Sequence, residues 1–118
     1  MATFIAASEA VHLASDDSSA YGSPRSFARA VTREAARAKD RGEPLAELSS
    51  IAKWTASDAA MKVATDAVQL FGASGYSRET GVERLMRDAK GAQIYEGTNQ
   101  IHRLIVADAV LARARASS

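Results

Sequence analysis

Glu96 is the residue whose setting points most directly to chemistry. It stands in Ile94-Tyr95-Glu96-Gly97-Thr98-Asn99-Gln100, between an aromatic residue and a glycine, just before an apolar helical segment. Two readings are open: an ordinary surface turn, or a carboxylate held at the mouth of a pocket as a proton acceptor. Free amides at a helix N-terminus favour the anion. Desolvation acts the other way, raising the carboxyl pKa and making it a better base. The residues alone do not choose between the two. Tyr95 reads first as a packing residue with a satisfied hydroxyl, and Gln100 as structural or exposed. No cysteine is present, which excludes thiolate chemistry and thiolate metal sites. His12 and His102 are far apart in the sequence and read as helix-surface or packing residues, so no metal cluster is expected.

The elements that must position Glu96 read as helices. A first helix is expected over 2–15, and the breaker-rich stretch 15–24 connects it to a second over 25–41, stopped by Gly42. Arg25, Arg29, Arg33 and Arg37 recur every four residues on that second helix. They form a basic stripe beside a thin apolar one of Phe27, Ala30, Val31, Ala35 and Ala38. A third helix runs from near Ser49 to Phe71, with Ala52, Ala56, Ala59, Val63, Ala67 and Leu70 at helical spacing. Ile51, Met61, Val68 and Phe71 broaden its buried surface, and Trp54 anchors the domain edge. Residues 72–81 read as a loop. They lack the Gly-x-Gly-x-x-Gly pattern and no strand precedes them, which excludes a doubly wound dinucleotide fold. A short helix follows, with Val82, Leu85, Met86 and Ala89 towards the core and Glu83–Arg87 and Arg84–Asp88 as i,i+4 pairs. Thr98 caps a last helix over 99–115, whose apolar surface comes from Ile101, Leu104, Ile105, Ala109 and Leu111. The expectation is an all-α, four-helix-bundle-like single domain over 1–118, with one extra short helix.

Composition sets the remaining bounds. A formal net charge of +1 does not steer the whole chain to nucleic acid, and the basic stripe reads first as a solvated face. No apolar run reaches the length of a membrane span, and Glu9 and His12 interrupt the N-terminal apolar run that a secretory signal would need. The absence of cysteine fits a reducing compartment, and a cytoplasmic location is expected.

Residues 57–111 resemble the C-terminal helical domain of acyl-CoA dehydrogenases. Three motifs carry the resemblance, in the family's order: Gln69–Gly72, "VERLMRDAK" at 82–90, and "IYEGTNQIHR" at 94–103. Residues 1–14 look like the preceding long helix, whereas 18–44 fit less well. The resemblance implies an FAD enzyme that oxidises an acyl-CoA thioester to a trans-2-enoyl-CoA. Glu96 matches the carboxylate that removes the proton beside the thioester carbonyl. Gln69, Gly72 and the loop backbone match residues that approach the FAD diphosphate of a neighbouring subunit. Thr98 and Gln100 match residues that approach its nucleotide portion. Ala73 stands where the family often has glycine, and its methyl group bears on a backbone contact to the cofactor. Arg84 and Arg87 fit helix docking better than diphosphate binding.

The family's N-terminal helical and central β domains have no counterpart in these 118 residues. The expectation is therefore a part of such an enzyme, inactive as this chain alone. Its partners would be further copies, or a chain that supplies the missing flavin- and CoA-binding domains. The alternative is a non-catalytic helical assembly module derived from the same family.

Overall fold

A computed structural model of the chain describes residues 24–117. The helix expected over 2–15, together with His12, lies outside them. The described residues form four helices: α1 (Pro24–Asp40), α2 (Ala46–Tyr76), α3 (Val82–Ala92) and α4 (Asn99–Ala116). No strand occurs among them.

Each boundary has a local cause. Pro24 opens α1, where its missing N–H costs nothing. Gly42 closes it at φ 70°, and the amides of Gly42 and Glu43 return to the carbonyls of Lys39 and Ala38 at 3.0 Å each. Arg41 secures this corner by bonding to both Glu34 and Glu43. Gly81, at φ 72°, starts α3. Thr98 caps α4 as expected, its hydroxyl accepting from the Ile101 amide at 3.3 Å. The i,i+4 pairs on α3 also form, Arg87–Glu83 at 3.6 Å and Arg84–Asp88 at 3.8 Å.

The long helix differs from expectation at both ends. It begins at Ala46, before Ser49, and continues past Phe71 to Tyr76. Gly72 is nevertheless a break. Its φ of 58° and ψ of −138° kink the helix, and one short helical segment follows before the chain turns at Ser77. A side chain at Gly72 would meet no neighbour within 4 Å, so backbone conformation and not space calls for glycine.

The helix α2 is the hub. Among the described residues α1, α3 and α4 each pack on α2, and no other pair of helices packs together. Close approach rests on small residues: Ala28, Ala38, Ala52, Ala89 and Ala92 form the buried apolar set, joined by Ser50 and Ser57. The Glu47–Arg113 ion pair ties the start of α2 to the end of α4. Hydrogen bonds from Arg113 hold the Glu47 carboxyl below its ordinary pKa. That tie is present above the usual glutamate range and is lost as pH falls through the lowered value.

Several expected core residues face outward instead. Leu70 is 82% exposed, and Phe71, Leu85, Phe27 and Ala30 are exposed as well. On α4, Ile101, Leu104, Ile105 and Leu111 are exposed, while Asn99, His102, Val106 and Ala109 are the more buried residues. Those buried positions recur at helical spacing and define the side turned to α2. Of the apolar residues expected to supply the α4 surface, Ala109 lies on the side turned to α2 and the other four are exposed within the described chain. Tyr95, read as a packing residue, is likewise exposed.

Candidate functional site

The site is built on one polar face of α2. Lys53, Trp54, Ser57 and Asp58 lie one turn apart and meet the connection between α3 and α4. Asn99, only 3% exposed, is the centre of that meeting. Its Oδ1 accepts from Lys53 Nζ at 2.8 Å. Its Nδ2 donates to Ser57 Oγ and to Asp58 Oδ1, both at 2.8 Å. Ser57, 1% exposed, passes its own proton to the Lys53 carbonyl at 2.8 Å. The charges around Asn99 thus fix which way its amide points: oxygen to the ammonium, nitrogen to the carboxylate.

Asp58 extends the network. Its Oδ1 also accepts from Gln93 Nε2 at 2.6 Å, and its Oδ2 from Arg103 at 2.9 Å. The Arg103 guanidinium lies over the Trp54 ring at 4.9 Å, a cation–π contact. Trp54, expected as an anchor at the domain edge, is half-buried, and its ring partner is a charged residue of α4. Gln93 Oε1 accepts from Lys90 at 2.9 Å, and the Gln93 carbonyl accepts from the Asn99 amide at 3.1 Å. The connection from 93 to 99 is therefore closed on itself and fastened to α2.

Glu96 sits at the tip of this closed connection. It is the one non-glycine residue with positive φ among those described, at 59°. That conformation costs on the order of 1–3 kcal/mol for a residue with a side chain. The surrounding bonds hold it. Lys53 Nζ donates to the Gly97 carbonyl at 2.6 Å, and His102 Nε2 lies 3.2 Å from the Glu96 carbonyl. The residue as a whole is exposed. Burial pushes the Lys53 ammonium below its ordinary pKa, opposed by the charges of Asp58 and Glu96.

Gly97 is needed twice over. Its φ is 91°, and a Cβ there would stand 3.0 Å from His102 Nε2. Gly97→Ala is expected to destabilise the chain by about 1–3 kcal/mol, read as a lower midpoint in chemical denaturation. An unchanged midpoint would show that the turn relaxes freely.

A cleft of about 430 Å³ opens beside the tip, lined by Asp58, Lys90, Gln93, Ile94, Thr98, Asn99, Gln100 and Arg103. Thr98 and Gln100 both line it, but Glu96 is not among its lining residues. Gln69, Gly72 and Ala73 lie elsewhere, exposed near the far end of α2. They are 11 to 15 residues beyond Asp58, roughly 16–22 Å along a helix. The five cofactor candidates thus fall into two groups at separate places on the hub helix. Ala73 continues the helix after the kink, and its carbonyl accepts from the Ser77 amide at 3.1 Å.

Lys53, Ser57, Asp58, Gln93, Asn99 and Arg103 were not singled out by sequence reading. One signal was available: Lys53, Ser57 and Asp58 share a polar helical face alongside the alanine stripe. In the sequence each is an ordinary polar helix residue, and only contact with the connection makes them a set.

The model of the family "Acyl-CoA dehydrogenase, C-terminal domain" matches residues 25–111, a stretch that runs from α1 with its basic stripe through α2 and α3 to Leu111 within α4. The chain belongs to this family. Cyclohex-1-ene-1-carbonyl-CoA dehydrogenase of Geobacter metallireducens is 57% identical over 84 residues, which are 70% of this chain and 22% of that protein. A probable acyl-CoA dehydrogenase of Mycobacterium leprae is 55% identical over 85 residues, covering 71% of this chain and 22% of its own length. Among solved structures, butyryl-CoA dehydrogenase from Megasphaera elsdenii aligns at TM-score 0.74 and 37% identity, over 92% of this chain and 33% of that one. A chain in a structure concerning the electron transferring flavoprotein of Acidaminococcus fermentans aligns at TM-score 0.69 and 49% identity, over 72% of this chain and 22% of that one. The all-α architecture is therefore that of the acyl-CoA dehydrogenase C-terminal domain. The chain spans about a fifth of the length of the curated relatives it matches. No described helix is long and apolar enough to cross a membrane.

Proposed function

We propose that these 118 residues form a single helical domain that serves an FAD-dependent, acyl-CoA dehydrogenase-like oxidoreductase. It supplies the proton-abstracting carboxylate, Glu96, and part of the FAD and subunit interface. The observation that carries this reading is the state of Glu96: a strained backbone, held by donors from two helices, in an exposed residue. A surface turn has no need of that expense. A base has, because it must meet one C–H bond in a fixed direction.

The residues present fit the cofactor at one wall of the cleft. The Lys90 ammonium, the Gln100 amide and the Thr98 hydroxyl offer donors to an anionic nucleotide beside the N-terminus of α4, and Asp58, which lines the same cleft, has its charge paired with Arg103. Gln69, Gly72 and Ala73, placed apart on exposed backbone, fit contact with a second FAD in a neighbouring subunit. When bound, FAD supplies the acceptor for the hydride that leaves the β-carbon. Glu96 takes the proton from the carbon next to the thioester carbonyl, and the two losses together leave a trans-2-enoyl-CoA. The rest of the site belongs to domains supplied in the complete assembly, as a further part of the polypeptide or as a partner chain.

A second reading has its own support. The outward apolar residues Ile101, Leu104, Ile105 and Leu111 on α4 suit a docking module with no chemistry of its own. Anaerobic mixing of the FAD-loaded assembly with saturated acyl-CoAs of several chain lengths separates the two. Loss of the oxidised-flavin absorbance with formation of the 2-enoyl thioester is expected. Stable FAD binding with no bleaching by any acyl-CoA would favour the module.

A further inference from the structure

The connection that carries Glu96 is held at two adjacent peptide groups by side chains from two different helices. His102, on α4, reaches the carbonyl of Glu96, and Lys53, on α2, reaches the carbonyl of Gly97. The first carbonyl is oriented by the ψ of Glu96 and the φ of Gly97, the second by the ψ of Gly97. Gripping both removes the rotations through which a glycine next to Glu96 would let the turn swing. We propose that Lys53 and His102 are positioning residues that lock the left-handed turn and so fix the direction in which the Glu96 carboxylate leaves it. The catalytic meaning of this clamp rests on the reading of Glu96 as the base, but the clamp itself is a claim about backbone geometry.

Three further observations agree. A carbonyl partner requires the Nε2–H form of His102, leaving Nδ1 as a bare acceptor. That Nδ1 is buried and finds no hydrogen-bond partner among the described residues, so there the ring is committed to its Nε2 contact. Gly97 lies against the same ring, with no room for a Cβ at ordinary distance. Lys53 is itself held, because Asn99 Oδ1 shares its ammonium. Asn99 is in turn fixed by Ser57 and Asp58, so the grip on Gly97 is anchored in the buried network.

The test is backbone NMR on the full 118-residue chain carrying His102→Ala, His102→Gln or Lys53→Met. In the unaltered chain Glu96 should show the strong intraresidue Hα–HN contact of positive φ. With His102→Ala or Lys53→Met that contact should weaken. Exchange of the Asn99 amide, which closes the connection onto Gln93, should rise roughly tenfold, the worth of about one hydrogen bond. The amides of Ala89 and Ala92 in α3 should be unmoved, which separates loosening of the turn from general loss of stability. His102→Gln keeps an N–H donor and should restore both signals. If Lys53→Met unfolds the chain, the His102 pair carries the test by itself. In the complete assembly, His102→Ala should lower kcat with little change in KM or FAD content, and His102→Gln should recover it. An unchanged positive-φ signature and unchanged Asn99 exchange in His102→Ala would overturn the clamp. These backbone signals do not depend on catalysis, and the base assignment stands or falls separately on the turnover of Glu96→Gln.

Discussion

Glu96→Gln in the complete, FAD-loaded assembly is expected to lower turnover by about 10²–10⁴-fold, the usual worth of a positioned general base. FAD content and thermal stability should stay near wild type. The reason lies in which atoms of Glu96 do structural work. The bond from His102 goes to its carbonyl, and the neighbouring bond from Lys53 goes to the carbonyl of Gly97. Glu96 is exposed, and among the described residues no hydrogen bond to its carboxylate holds the fold together. Glutamine keeps the size of the side chain and the backbone contacts; it removes the ability to take a proton together with the negative charge, which acts on the Lys53 ammonium. Single-turnover reduction of the flavin by acyl-CoA is the appropriate measurement, since it isolates C–H cleavage from later electron transfer. Near wild-type reduction would remove Glu96 from its role and return the site to the docking reading.

The largest effect on stability is expected at Asn99. Asn99→Ala removes one acceptor and two donors from a buried centre. Lys53 loses the partner that shares its ammonium, Ser57 loses a donor to its hydroxyl, and Asp58 keeps only Gln93 and Arg103. Stranding buried polar groups costs about 1–3 kcal/mol each where water cannot reach them. A total loss of about 3 kcal/mol is expected, with part of the cost offset by water entering the cleft. Chemical denaturation followed by far-ultraviolet circular dichroism would show it as a lower midpoint at unchanged slope. Asn99→Asp should fare no better, because it places a second carboxylate oxygen against Asp58. A loss within about 0.5 kcal/mol, the range of an ordinary surface change, would mean that the connection is held by other means.

What the sequence revealed depended on how local the physics was. Gly42 as a helix stop and Thr98 as a helix cap were legible because each acts on its own few neighbours. The i,i+4 ion pairs on α3 were legible for the same reason. The glycine at 72 was correctly seen as a break, but one positive-φ residue can kink a helix without ending it, and α2 resumes as far as Tyr76. Burial was less legible. Periodicity finds an apolar stripe without saying what covers it. Leu70, Phe71 and the α4 residues Ile101 and Leu104 are exposed within the described chain. Glu96 stood out through its neighbours in sequence. The side chains that hold it did not, because Lys53 and Asn99 are 46 positions apart and meet only after α2 and α4 pack.

In the proposed function the clamped turn aims the Glu96 carboxylate at the carbon beside the thioester carbonyl. The most direct measurement is a crystal structure of the complete assembly with FAD and an unreactive thioether analogue of an acyl-CoA. A Glu96 carboxylate oxygen is expected roughly 3–3.5 Å from that carbon, with Glu96 still at positive φ. Glu96 turned to solvent, with a carboxylate from another helix over the carbon, would contradict it.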